Sequence, residues 1–304
     1  MNAPMTLQAD KITLTMIGCG KMGGAMMRGW LKTDIIEHAY LFSPRTIDQD
    51  LKDHINVTAY SGQDNLSDAL RASDVIIFGV KPQVMAKALS TYKADIPQNT
   101  ALLSIAAGLE SRFFADIMGA NQPFIRVMPN TPCAIGKGMC GLYASEHVSL
   151  AIKSKVENLF LALGDAIWLD DEAQMNALTA ISGSGPAYIF HFIEALTNAA
   201  EELGFSTDIA SRLSRQTVIG AAYLAEAEGD TPARTLRENV TSPAGTTEAG
   251  LNILMNEDGA NLKELIKATT QAALQRGINC RIVHIMSRLG LVGFLLVSGF
   301  FSMG

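Results

Sequence analysis

The stretch "ITLTMIGCGKMGGAMMRGWL", Ile12 to Leu31, decides the fold. Its first part is a β-rich apolar run ending at Gly18, and the residues beyond match G-x-G-x-x-G at Gly18, Gly20 and Gly23. A buried strand, this turn and an amphipathic helix in immediate succession open a dinucleotide-binding unit. Gly18 permits the tight turn, Gly20 lets the backbone approach a pyrophosphate, and Gly23 lets the helix pack closely on the strand. The helix N-terminus turns its unpaired N–H groups toward the phosphates. Lys21 and Met22 lie in the same turn and are assigned to the cofactor with the glycines.

Further βα units follow. "AYLF" ends a second predicted strand, and "DVIIFGV" (Asp74 to Val80), "ALLSIAAG" (Ala101 to Gly108) and "FIRVMPN" (Phe124 to Asn130) read as three more. Helical segments between them predict a parallel, doubly wound α/β sheet. Such sheets bind ligands at the carboxyl ends of their strands, which makes Val80, Lys81, Pro82, Ala106, Gly108 and Asn130 cofactor candidates. Prolines in "VKPQ" and "MPNTP" stiffen their loops, and each loop taken singly reads equally well as a plain strand-to-helix turn.

The end of the second strand bears on cofactor choice. An NAD site usually places an acid there for the ribose 2′-hydroxyl. This chain has "LFSPRTID", with Ser43, Arg45 and Thr46 and no acid before Asp48. A hydroxyl and a guanidinium suit a 2′-phosphate, so NADPH is expected over NADH, with NADH also usable.

Strand signals stop near Asp170. Helical periodicity then runs through "NALTAISGSGPAYIFHFIEALTNAAEELG", capped by Gly204, and "DIASRLSRQTVIGAAYLAEAEG", which stops at Gly229. His191 reads as a packed or interfacial histidine. The loop "TSPAGTT", Thr241 to Thr247, interrupts this helical half. It stands directly before another helix, so its N–H groups from about Gly245 onward form a nest for a small anion such as a carboxylate, or an ordinary cap with no ligand. A nucleotide domain followed by such a nest suggests an oxidoreductase acting on a small carboxylate.

Composition narrows the partners. A net charge of −6 over 304 residues offers no basic stripe for nucleic acid. The four cysteines form no CxxC and no Cys/His cluster, which fits a reducing cytoplasm and argues against structural zinc, so no metal is expected. The N-terminal "MNAPMTLQADK" has no apolar core of a secretory signal. The apolar end "LGLVGFLLVSGFFSMG" falls short of the roughly 20 residues a spanning helix needs. It reads as a non-native end, a segment buried against a partner chain, or a membrane contact, and no membrane partner is expected.

Taken together, "MIGCGKMGGAMMRGWL", "FGVKPQ", "IRVMPNTP", "ISGSGPAYIFHFIEAL" and "VTSPAGTTEAGL" resemble pyrroline-5-carboxylate reductase from about Ile12 to Gly277. The tandem of "SGSGPAY" and "TSPAGTT" after "MPNTP" is far more specific than the glycine turn. The resemblance implies a Rossmann-type doubly wound domain at 1–169, an all-α substrate-binding and dimerisation domain at 170–277, and an atypical tail at 278–304. It implies reduction of the cyclic imine 1-pyrroline-5-carboxylate to L-proline, the last step of proline synthesis. Backbone amides of Gly245, Thr246 and Thr247, with Ser242 nearby, then hold the carboxylate, and the Thr247 hydroxyl partners the ring nitrogen as the catalytic candidate. The family forms intertwined homodimers that often assemble into a decamer, with active sites drawing on two chains. A β-hydroxyacid dehydrogenase is the nearest enzymatic alternative, but it needs a helix lysine, and no lysine lies between Lys155 and Lys263. A non-catalytic NADP-binding sensor or scaffold is the alternative from another class, and it predicts a damaged "TSPAGTT" loop.

Overall fold

The computed structural model describes residues 11–288 apart from Arg45, Gln63 and 257–260, with side chains described as far as Asn279. Two compact units emerge among the described residues, one built from 11–183 together with 274–288, the other from Ser184–Ala273.

The first unit is organised by one eight-stranded sheet. Its strands are β1 (Ile12–Ile17), β2 (Ile36–Phe42), β3 (Val57–Tyr60), β4 (Val75–Phe78), β5 (Ala101–Ser104), β6 (Phe124–Met128), β7 (Gly138–Ala144) and β8 (Gly164–Trp168). The spatial order is β3-β2-β1-β4-β5-β6-β7-β8. β1 to β6 run parallel, but β7 pairs antiparallel with β6 and β8 follows β7. The expected doubly wound parallel sheet is thus extended at one edge by an antiparallel neighbour. The chain returns from Met128 to Gly138 through a single 3-10 turn, Thr131–Ile135, closed by Gly136 at φ +71°. That connection is too short for a parallel crossover, which needs a dozen or more residues.

The strands read as unbroken apolar runs because both faces of the sheet are covered. In β4, Val75 and Ile77 join one core while Ile76 and Phe78 join the other. The first core takes Met26, Met27 and Trp30 from α1 (Lys21–Leu31), with helix residues Val156, Leu159 and Phe160 from the far side of the sequence. Trp30 sets its ring edge-on to Phe160 at 5.7 Å and donates its indole N–H to the Leu159 carbonyl at 2.7 Å. The second core is covered by α3 (Ser67–Ala72), α4 (Pro82–Tyr92) and α5 (Ser111–Met118), which follow the short α2 (Gln49–Lys52). Phe114 of α5 stacks on Phe124 of β6 at 4.0 Å. α6 (Leu150–Leu161) and α7 (Gln174–Leu178) complete the unit, and a π turn at Thr179–Gly183 continues α7. Among the described residues the most buried ion pair joins Arg126 of β6 to Glu172 at 3.3 Å, where Glu172 also accepts from the Ser111 N–H at 2.8 Å and its hydroxyl at 2.6 Å.

The second unit is helical. α8 (Gly185–Glu202) and α9 (Thr207–Ala227) form a hairpin whose turn uses Gly204 at φ +95°, as its place after an apolar periodic run predicts. α10 (Ala233–Asn239) and α11 (Thr246–Leu254) follow, and α12 (Leu262–Arg288) begins in this unit and runs without a break through Gly277, its residues from Leu274 belonging to the first unit. The tail from 289 onward lies outside the described residues. Along α9 only Ala210 and Ser214 are fully buried, while Phe190 and Phe192 of α8 and Leu213, Tyr223 and Leu224 of α9 are exposed. Large apolar side chains displayed in this number belong to an association surface. His191 is exposed on α8 and pairs with Glu194 at 3.0 Å, so it is not packed within its own chain. Among the described residues, no helix is long and apolar enough to cross a membrane.

Candidate active site

The glycine turn is held by three backbone hydrogen bonds. The Gly18 N–H donates to the Phe42 carbonyl at 2.8 Å, the Gly20 N–H to the Gly18 carbonyl at 3.0 Å, and the Gly24 N–H to the Gly20 carbonyl at 2.8 Å. Gly18 stands at φ +98°, and a Cβ there would sit 2.7 Å from Val80 Cγ1. A Cβ on Gly23 would lie 2.8 Å from Met16 Sδ. Backbone conformation and packing together demand glycine at Gly18, whereas at Gly23 the nearest atom belongs to the flexible Met16 side chain. Gly20 differs, because a Cβ there would meet no atom of the chain within 4 Å. Its backbone has an ordinary extended conformation, so neither strain nor crowding asks for glycine. A ligand lying against the backbone does ask for it. The N–H groups of Lys21, Met22 and Gly23 form the first turn of α1 and have no acceptor in the described chain, which leaves three donors beside Gly20. The residues thus fit a pyrophosphate. Burial pushes the neighbouring Cys19 thiol up to about 11, which keeps it neutral beside such an anion.

The other strand ends meet this turn. β1 is paired in register with β2 and β4, which brings Ile17, Phe42 and Phe78 abreast. The Gly79 N–H donates to the Ile17 carbonyl at 2.9 Å, and a Cβ on Gly79 would press on the Gly18 carbonyl at 2.5 Å. Sequence reading passed over Gly79. Its signal is the glycine of "FGVKPQ", placed where two strand ends converge. Val80 follows, Lys81 caps α4 and Pro82 occupies the first turn of that helix. Ala106 donates its N–H to the Ser104 hydroxyl at 3.2 Å, and Gly108 turns the chain at φ +79°.

Asn130 is buried with its amide engaged inside the chain. Its Nδ2 donates to the Ser182 carbonyl at 3.2 Å, and its Oδ1 accepts from the Met139 N–H at 2.9 Å. The side chain thereby ties the "MPNTP" loop to β7 and to the π turn. Beneath it, Cys133 and Cys140 lie fully buried with their sulfurs 3.5 Å apart as free thiols. The hydrogen bond to Cys133, reinforced by burial, pushes the Cys140 thiol up. Their spacing in sequence carries no sign of this meeting, which the antiparallel return to β7 creates.

At the ends of β2 and β3 a cleft of about 580 Å³ is lined by Ser43, Thr46, Lys52, Tyr60 and Ser61, with Asp64 at its edge. Ser43 is nearly buried. Arg45, expected here, lies outside the described residues. No cluster of three or more His, Cys, Asp or Glu residues suited to a metal occurs among the described residues.

The loop of the second unit is a type II turn set against a helix. The Gly245 N–H donates to the Ser242 carbonyl at 3.0 Å across Pro243 and Ala244. Ala244 stands at φ +56°, the one non-glycine residue with positive φ among those described. A Cβ on Gly245 would collide with the Ser242 hydroxyl, so the turn closes on glycine alone. Gly245 is the N-cap of α11 and makes no side-chain cap, leaving the N–H groups of Thr246 and Thr247 without acceptors in the described chain. Both threonine side chains are exposed. Glu248, three residues into the helix, reaches back to accept the Ala244 N–H at 2.8 Å. Sequence reading overlooked it: the glycine N-cap gives no capping-box signature, and the bond falls on the residue before the cap.

Comparison with known proteins meets this geometry. Residues 13–108 match the family model of NADP oxidoreductase, coenzyme F420-dependent, and residues 172–279 match that of pyrroline-5-carboxylate reductase dimerisation. The pyrroline-5-carboxylate reductase of Pseudomonas aeruginosa is 41% identical over 69% of this chain and 76% of its own length. The chain belongs to the pyrroline-5-carboxylate reductase family. A structure of the pyrroline-5-carboxylate reductase from Coxiella burnetii superposes with a TM-score of 0.82 at 32% identity, covering 89% of this chain and 99% of that one. The Plasmodium falciparum enzyme, with NADP bound, gives 0.75 at 27% identity over 90% and 99%. As members of this family do, the chain assembles with other copies and acts on a small molecule, in keeping with the apolar faces of α8 and α9.

Proposed function

We propose that this chain reduces 1-pyrroline-5-carboxylate to L-proline, drawing the hydride from NAD(P)H. The observation that carries the reading is the nest at the head of α11, built on Gly245 with the N–H groups of Thr246 and Thr247 unpaired. NAD(P)H, when bound, supplies the hydride. The first turn of α1, with Gly18, Gly20, Lys21, Met22 and Gly23, holds the pyrophosphate, and Val80, Lys81, Pro82, Ala106, Gly108 and Asn130 shape the nicotinamide wall. Ser43 and Arg45 direct the preference toward NADPH.

The reaction asks little acid–base work of the protein. The hydride adds to the imine carbon, the electron pair of the C=N bond passes to nitrogen, and a nitrogen protonated beforehand becomes the secondary amine of proline. A protonated imine is already electrophilic, so orientation and charge placement dominate. Amides at a helix N-terminus fix the carboxylate, with Ser242 beside them, and the Thr247 hydroxyl holds the ring nitrogen. The assembly is a homodimer that associates further into a decamer. The compartment is the cytoplasm, where contacting free thiols such as Cys133 and Cys140 stay reduced.

The test is NADPH oxidation coupled to proline formation, compared between the wild type and Thr247→Ala. Loss of kcat with carboxylate-dependent binding retained supports the assigned role. Unchanged kcat and KM in the variant remove Thr247 from the chemistry. Light scattering of the purified chain checks the decamer.

A further inference from the structure

The cleft at the ends of β2 and β3 contains hydroxyls from Ser43, Thr46 and Ser61 above an apolar floor of Ile47, Ala59 and Tyr60. It opens beside the glycine turn, since Gly18 is hydrogen-bonded to the last residue of β2. In a doubly wound sheet this is where the adenosine ribose lies.

The charges around it are unequal in availability. Arg28 of α1 is committed to the segment ahead of the cleft, with Nε donating to Asp50 at 2.6 Å and Nη2 to Asp48 at 2.5 Å and to Asp50 at 2.8 Å. Two carboxylates neutralise it and anchor the segment ahead of α2. Asp64 is fixed by the Ser61 N–H at 2.5 Å and the Ser61 hydroxyl at 3.0 Å, which hold its carboxyl below the usual range. It is an acceptor for a ribose or adenine donor and repels phosphate. Lys52, at the end of α2, lines the cleft and is exposed, and its ammonium has no ion pair or hydrogen bond among the described residues.

We infer that Lys52 is a further specificity-determining cation of the nucleotide site, its ammonium meeting the 2′-phosphate of the cofactor while Ser43 and Thr46 donate hydroxyl hydrogen bonds. The inference rests on the chain being an NAD(P)H-dependent reductase and adds a second cation to the proposed reading of Ser43 and Arg45. Lysine serves as a point charge that a terminal phosphate can approach from many directions, which suits an exposed side chain lining the cleft.

The experiment is calorimetric titration of the full chain with adenosine 2′,5′-bisphosphate and with adenosine 5′-monophosphate, for the wild type, Lys52→Met and Lys52→Arg. Methionine keeps the apolar stem and removes the charge, and thermal melts establish that the variants fold. The wild type binds the bisphosphate more tightly than the monophosphate. Lys52→Met weakens the bisphosphate about tenfold, the scale of one charge-assisted contact at a partly solvated site, and leaves the monophosphate unchanged. Lys52→Arg restores most of the loss, and the lost affinity shrinks as salt is raised. In turnover, KM for NADPH rises while kcat and the NADH parameters hold. Equal affinity of Lys52→Met and wild type for the bisphosphate overturns the inference, as does an equal loss on both nucleotides. Discrimination of the bisphosphate by a chain that reduces no cyclic imine overturns the substrate reading and leaves Lys52 standing.

Discussion

The carboxylate of Glu248 accepts a hydrogen bond from the backbone N–H of Ala244 at 2.8 Å, so the first turn of α11 braces the loop that precedes it. The same carboxylate places a negative charge at the helix end where the proposed reading seats the substrate carboxylate. Glu248→Gln keeps an acceptor for Ala244 and removes the charge. KM for the imine is expected to fall two- to fivefold, the scale of about 0.3–1 kcal/mol for a charge at a helix terminus. Glu248→Ala removes the brace, and KM should rise instead. Steady-state kinetics on the pair separate the two effects, and identical behaviour of both variants would show that neither operates.

Ala244 occupies the position of a type II turn that favours glycine. Valine there adds branching at φ +56° and should cost more than about 1 kcal/mol, on the scale of a side chain held in the left-handed region. Denaturant melts of Ala244→Val against Ala244→Gly check this. Equal stability of the two would mean that the loop relaxes out of the left-handed conformation.

The three glycines of the first turn should respond differently to alanine. Gly18→Ala combines φ +98° with a collision at Val80 and is expected to prevent folding. Gly20→Ala adds a methyl into open space and should leave stability within about 1 kcal/mol of wild type, the ordinary range for an N-cap change. It should nevertheless weaken NADPH binding severely, because the methyl enters the space that the proposed pyrophosphate site would use. Calorimetric titration beside a thermal melt tests both halves of the claim.

Arg126 and Glu172 show 4% and 15% side-chain exposure, a pairing nearly out of water. Arg126→Met leaves Glu172 charged with only the Ser111 donors, and should destabilise the chain by roughly 3 kcal/mol. The double variant Arg126→Met with Glu172→Leu should recover much of that loss. Failure to recover would mean that Ser111, rather than the ion pair, carries the contact.

Much of the nucleotide half was legible because its signals are local. The glycine turn needs only adjacent residues, and a strand covered on both faces announces itself as an apolar run such as "VIIF". β3, β7 and β8 escaped notice for the opposite reason. Gly138 to Ala144 is rich in small residues, and its strand identity comes from pairing with β6 and β8. Tertiary partners likewise brought Cys133 to Cys140, committed the Asn130 amide, and set Lys52 beside Ser43. In the helical half, the nest before α11 was readable from "SPAGTT", since Pro and Gly mark the turn and Thr the helix start. The Glu248 brace required knowing which N–H groups the turn had already satisfied.

The most direct measurement follows NADPH absorbance in the presence of 1-pyrroline-5-carboxylate while L-proline is quantified in the same reaction. The account predicts one proline formed for each NADPH consumed, with turnover lost when the Gly20 position carries alanine. A folded chain that binds NADPH yet forms no proline would contradict it.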